Sequence, residues 1–98
     1  MVVGMLLVRL LLPNSESLKD KRQVVKSLRA RLTNQFGVSV AEVGEQDVRQ
    51  IAEIGIALVS NEVSHVERVL DNVVKYVEET RPDLEITDCA RDVQTFFQ

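Results

Sequence analysis

The sequence predicts an α+β domain with six elements in the order β-α-β-β-α-β. Three observations carry this reading: two segments with apolar residues at helical spacing, apolar β-type runs flanking each, and chain breaks at Pro13, Gly37, Gly44 and Pro82. The 98 residues form one domain, 1–98, because either half alone is too small to bury a core. Apolar residues at 45% and charged residues at 28% match an ordinary soluble globular chain.

Val2–Leu12 is almost wholly apolar and ends at the turn signal Pro13-Asn14, so it reads as a central strand buried on both faces along most of its length. Ser17 then caps a helix, and Asp20, at its third position, approximates a capping box. Leu18, Val25, Leu28, Leu32 and Phe36 share one face of that helix, and Gly37 ends it. Val38–Val43 reads as a second strand, followed by the turn Gly44-Glu45-Gln46-Asp47. In the third strand, Ile51–Val59, the residues Ile54, Ile56 and Leu58 point one way, and Glu53, Gly55, Ala57 and Val59 the other. Ser60 or Asn61 caps a second helix whose inner face is Val63, Val66, Leu70, Val73 and Val77. Arg81-Pro82-Asp83 stops it, since proline cannot continue a helix. Leu84–Cys89 is the fourth strand, with a continuation toward Val93. Two βαβ halves joined by a hairpin match the split-βαβ, ferredoxin-like arrangement. Right-handed crossovers then place both helices on one face of a four-stranded antiparallel sheet.

The other sheet face has no element left to cover it. Val3, Met5, Leu7, Arg9 and Leu11 on the first strand and Gly55, Ala57 and Val59 on the third are expected there, forming an apolar patch that monomers rarely expose. Either the C-terminal tail with Phe96 and Phe97 folds over it, or a second subunit does. A homo-oligomer with Leu7, Arg9, Leu11, Gly55, Ala57 and Val59 at its interface is therefore expected.

Charge is unevenly spread. Residues 1–36 carry a balance of +5 and residues 37–98 a balance of −8, within a net charge of −3. Such poles suit an anionic partner or head-to-tail self-association. The cations concentrate in the first helix, where Lys19, Arg22, Lys26 and Arg29 recur every three or four residues as one stripe. Lys21 lies at the edge of the core face, where its stem can snorkel, and Arg31 projects elsewhere. A stripe of this kind can meet successive phosphates, making structured RNA the expected partner, with Lys21 and Arg31 assisting. The competing reading is a solvated face, or one paired with acidic groups of the same protein. Cations near a helix N-terminus oppose the macrodipole, so folding alone does not explain them. Recognition of single strands by stacking is disfavoured, because the third strand has no aromatic residue.

No catalytic constellation is legible, so the chain is not expected to be an enzyme, and no cofactor or small-molecule substrate is implied. The loop Pro13-Asn14-Ser15-Glu16 lacks the glycines of a phosphate cradle. The single Cys89 excludes an internal disulfide and a multi-cysteine metal site, fits a reducing cytoplasm, and is expected to pack in a strand rather than react. Glu42, Glu45 and Asp47 near the hairpin could meet a hard cation but are more simply solvated, so no metal is expected. His65 reads as a surface histidine. The apolar N-terminal run lacks a basic start, contains Arg9 and is too short to span a bilayer, so neither a secretory signal nor a membrane partner is expected.

Ser17-Leu18-Lys19-Asp20-Lys21-Arg22, then Val38-Ser39-Val40-Ala41-Glu42-Val43, Gln46-Asp47 and Ala57-Leu58-Val59-Ser60-Asn61 together resemble the YlxP-like family of small bacterial proteins. The resemblance spans nearly the whole chain in order. It implies a ferredoxin-like fold and a cytoplasmic protein, and it suggests a ribosomal setting, because family genes often lie among translation and ribosome-maturation genes. Where the family often carries Trp two residues after Gln-Asp, this chain has Arg49, which would alter any stacking contact made there.

Overall fold

Alternating apolar residues in the strands and an apolar stripe on each helix give this chain surfaces that can close on one another only as two layers. The computed structural model describes all residues, Met1–Gln98. The elements are β1 (Val2–Leu11), α1 (Leu18–Phe36), β2 (Ser39–Gly44), β3 (Ile51–Ser60), α2 (Val63–Thr80) and β4 (Glu85–Thr95). The sheet order is β2-β3-β1-β4, and every neighbouring pair is antiparallel. This is the ferredoxin-like arrangement expected from the element order.

β1 is the spine of the sheet. It pairs with β3 from Val2↔Ser60 to Leu11↔Ile51 and with β4 from Val2↔Thr95 to Leu11↔Glu85. Its burial departs from the expectation of a strand covered on both faces. Val2, Leu6, Val8 and Leu10 are buried beneath the helices, whereas Met5 and Leu7 on the opposite side are exposed. Both helices pack on one side, so an apolar run produces the burial pattern of a half-covered strand.

α1 begins and ends as its sequence predicts. Ser17 is the N-cap, its Oγ accepting from the Asp20 N–H at 3.0 Å, while Asp20 Oδ2 accepts from the Glu16 N–H at 3.1 Å. Gly37 closes the helix at φ 65°, a left-handed conformation in which a side chain would be strained. α2 departs at its start. Its N-cap is Glu62, with no side-chain capping bond, and Ser60 Oγ instead accepts from the Glu62 N–H at 3.3 Å. Val63, in the first turn, is exposed, so the inner face runs from Val66 through Leu70 and Val73 to Val77.

β4 extends to Thr95, beyond the span its own composition predicts, because β1 offers a full-length edge to pair with. A register shift between Arg9 and Leu10 accommodates Thr87, whose Oγ1 donates to the Arg9 carbonyl at 3.3 Å. Arg91 ties this edge strand to α2 through Glu67 at 2.9 Å and Asp71 at 2.8 Å.

The core is one cluster between the layers, with Leu28 and Leu32 from α1 and Val66, Leu70, Val73 and Val77 from α2 meeting the inner sheet face. α2 approaches β1 closely at Gly4, where an added Cβ would lie 2.3 Å from Val66 Cγ1 and 3.2 Å from both Leu58 and Leu70. Overpacking a closed core costs about 1–3 kcal/mol. Gly4→Ala should therefore lower unfolding stability by about that amount in urea titration, with an unchanged m-value.

Candidate nucleic-acid interface

The segment Ser17–Arg22 divides into residues that build the helix start and residues that face solvent. Ser17 and Asp20 form the cap described above. Lys21 turns inward, and the structure corrects its assignment to a binding surface: it is fully buried at 0% exposure. Its Nζ donates to the carbonyls of Glu45 and Val48, the latter at 2.8 Å, and lies 2.9 Å from Glu42 Oε2. That carboxylate oxygen is buried and, beyond this ion contact, makes no hydrogen bond. Two ammonium protons thus reach carbonyl acceptors and the adjacent Glu42 carboxylate balances the charge, which is what lets a lysine sit in the interior.

Lys21 thereby pins the β2–β3 connection to α1. Glu45 lies in the left-handed region at φ 57°, a conformation costing a non-glycine residue about 1–2 kcal/mol. Its carbonyl accepts both from Lys21 Nζ and from the Val48 N–H, the latter at 3.0 Å, and these bonds hold the turn. A register shift between Glu42 and Gly44 leaves Glu42 on the inner side, facing Lys21, and Val43 exposed on the outer side. The signal for Lys21 was present in the sequence. Lys21, Val25, Leu28 and Leu32 follow one helical stripe, and Val38, Val40 and Glu42 follow one strand face, so opposite charges occupy core positions on adjacent elements.

Lys19, Arg22, Lys26 and Arg29 are all exposed, and none forms an ion pair. The reading in which this stripe is neutralised within its own chain is not realised. Of the six α1 cations only Lys21 is paired, whereas four of the six elsewhere, Arg9, Lys75, Arg81 and Arg91, have carboxylate partners and Arg49 and Arg68 do not. From Lys19 to Arg29 the stripe runs about 15 Å along the helix axis. Arg31 is also exposed and unpaired, but it lies apart from the stripe, in a polar recess of about 350 Å³ with Ser27, Thr80 and Arg81.

The remaining polar groups do not gather into a reactive centre. Glu42 is committed to Lys21, Glu45 lies 3.8 Å from Arg9, and Asp47 is exposed, so these three carboxylates do not converge. No group of three His, Cys, Asp or Glu residues is placed to hold a metal ion. Arg81 grips Asp83 in a bidentate pair at 2.8 and 3.0 Å, and that hydrogen bonding holds the Asp83 carboxyl below its usual range. Cys89 is exposed on the edge strand rather than packed, since β4 has no strand beyond it. Partial burial nevertheless pushes its thiol pKa up, which disfavours the reactive thiolate at neutral pH. His65 is exposed in the first turn of α2. Arg49 lies beside Asn14, Ser15, Glu16 and Gln50 in an open polar recess and has no ion partner.

On the uncovered sheet face, Met5, Leu7, Val43 and Val59 are exposed, with Gly55 and Ala57 between them half-buried. Arg9 is held by Glu53 at 2.6 Å, and Leu11 is half-buried at the strand end. The tail does not cover this face: the Phe96 N–H donates to the Met1 carbonyl at 2.7 Å, and Phe97 is 91% exposed. No helix is long and apolar enough to cross a membrane.

Residues 3–91 match the family model described as a protein of unknown function, DUF503. The uncharacterized protein YlxP of Bacillus subtilis is 39% identical over 71 residues, covering 72% of this chain and 76% of that one. This chain belongs to the YlxP-like DUF503 family. Solved structures share the fold of this family member at low identity. A de novo designed protein with ferredoxin fold aligns with TM-score 0.55 and 14% identity over 100% of this chain and 89% of the other. SnoaB, a cofactor-independent oxygenase from Streptomyces nogalater, aligns with TM-score 0.54 and 12% identity over 98% and 94% of the two chains. At such identities the likeness concerns the fold alone.

Breaking a buried ion pair by removing one partner costs about 3–5 kcal/mol, because the other charge stays buried. Lys21→Met is accordingly expected to destabilise the protein by roughly 3 kcal/mol, toward the lower end because Glu42 keeps some solvent contact. Lys21→Met/Glu42→Gln should recover part of that loss. Denaturant titration gives the magnitude, and amide exchange across residues 44–49 should accelerate in the single variant.

Proposed function

We propose that this protein is a non-catalytic binding module that holds structured RNA, such as that of a ribosomal subunit, by its phosphate backbone. Lys19, Arg22, Lys26 and Arg29 make the contacts. The observation that carries this reading is the absence of any intrachain ion pair along the stripe, on a helix whose N-terminal half would fold more readily with fewer cations. Side chains on a rigid helix meet phosphates at fixed spacing and read position and shape rather than base identity. The outward residues of β1 and β3 include no aromatic ring, and Phe36 is engaged edge-to-face with Tyr76 at 5.4 Å, so base stacking on the sheet plays no part. Arg31, set apart from the stripe, assists only where the bound RNA curves around the helix, and Lys21 acts indirectly by fixing α1 to the hairpin. RNA as the partner places the protein in the cytoplasm, in keeping with its single unpaired cysteine.

Four phosphate contacts imply a log–log salt slope of roughly −3 to −4, so affinity should fall about a hundredfold between 50 and 200 mM salt. Co-sedimentation with ribosomal subunits over a salt series tests this. Lys19→Glu/Arg22→Glu/Lys26→Glu should abolish association while its circular dichroism matches wild type. Equal association by both proteins would sink the reading.

A further inference from the structure

We infer that the open sheet face is a homodimer interface, occupied by the same face of a second copy related by a two-fold axis. The relief of the face is self-complementary. Met5 and Leu7 of β1 form a central ridge. On its β3 side lies an apolar hollow of about 350 Å³ bounded by Met5, Ala41, Val43, Gly55 and Ala57. Gly55 is what opens this hollow: a Cβ there would lie 2.9 Å from Val43 Cγ1. On the β4 side a second hollow of about 290 Å³ adjoins Met5, Leu7 and Ala90 and is edged by Asp92. A two-fold operation sets the ridge of each copy into the hollow of the other, and such an isologous contact closes at two subunits.

Charge is arranged to allow this. The centre of the face is uncharged, and Arg9 near one end is already neutralised by Glu53 at 2.6 Å and Glu45 at 3.8 Å. Asp88 and Asp92 stand on β4, the outermost strand, opposite Arg9 and Met5 of β1. An apolar centre with a charged rim is the usual anatomy of a specific interface. The size also suffices. Four strands spaced by about 4.8 Å, six to eleven residues long at about 3.3 Å each, present roughly 500–600 Å² per copy. A pair therefore buries roughly 1,000–1,200 Å² in total, which reaches the lower limit for a stable association. Phe96 and Phe97 do not occupy the face, since Phe96 is bonded to Met1 and Phe97 is 91% exposed. Both helices lie on the far side of each sheet, so the dimer carries one cationic α1 stripe on each of its two outer surfaces. The inference rests on the sheet face alone and stands whether or not the stripes bind RNA.

Sedimentation equilibrium at about 100 µM tests it, given that interfaces of this size often bind in the micromolar range. The wild type should show twice the 11.1 kDa chain mass. Leu7→Glu, at a site 43% exposed, and separately Ala57→Glu should each raise the dimer dissociation constant tenfold or more while circular dichroism stays native. Lys19→Glu/Arg22→Glu/Lys26→Glu should remain dimeric. A wild type at the monomer mass, a dimer insensitive to both sheet substitutions, or a dimer lost with the stripe variant would each overturn the inference.

Discussion

In this topology each helix connects two parallel strands with one antiparallel strand between them, and right-handed crossovers carry both helices over the same side of the sheet. That constraint divides every strand into an inner and an outer row. The inner row of β1 and β3 meets Leu28, Leu32, Val66, Leu70, Val73 and Val77 and becomes the core. The outer row is left with Met5, Leu7 and Val59 exposed, although its residues are nearly as apolar. The surfaces available for binding are then two, and they face opposite ways: the cationic outside of α1 and the apolar outside of the sheet.

The buried Lys21 ammonium links the covered side to the hairpin. A charge removed from water is tolerable only where it is paired and hydrogen-bonded, and here the carbonyls of Glu45 and Val48 accept its protons while Glu42 balances its charge. The same contacts hold Glu45 in its left-handed conformation and set the β2–β3 turn against the start of α1. An ion pair of this kind adds little net stability over an apolar pair of the same shape, but losing one partner leaves the other charge stranded. The pair keeps the stripe-bearing helix in a fixed relation to the sheet edge.

Helix spacing, Gly37, Pro82 and strand alternation were enough to predict the element order and most of the core, because each is a local property of a few neighbouring residues. The cap at Ser17 and Asp20 was equally legible. The reading failed where a pairing partner or a covering layer decided the outcome. β4 runs two residues past the suggested continuation toward Val93, to Thr95, because β1 is there to pair with it. The apolar run of β1, read on its own as buried on both faces, is covered on one face only, as the element order implied. Cys89 became exposed because β4 is an edge. Within the candidate site, Lys19, Arg22, Lys26 and Arg29 were identifiable from spacing alone, while Lys21 was grouped with them by charge when its spacing already matched the core stripe.

The sequence by itself determined the two-layer fold, the cationic stripe and the absence of aromatic platforms on the sheet, since these depend on residue type and period. Tertiary structure alone decided which cations are free. That distinction arises from what lies opposite each side chain: Glu42 and two carbonyls come from β2 and its turn to meet Lys21, and nothing comes to meet Lys19, Arg22, Lys26 or Arg29. Spacing along one helix says where a charge points, but its partner belongs to another part of the chain, and only folding brings the two together.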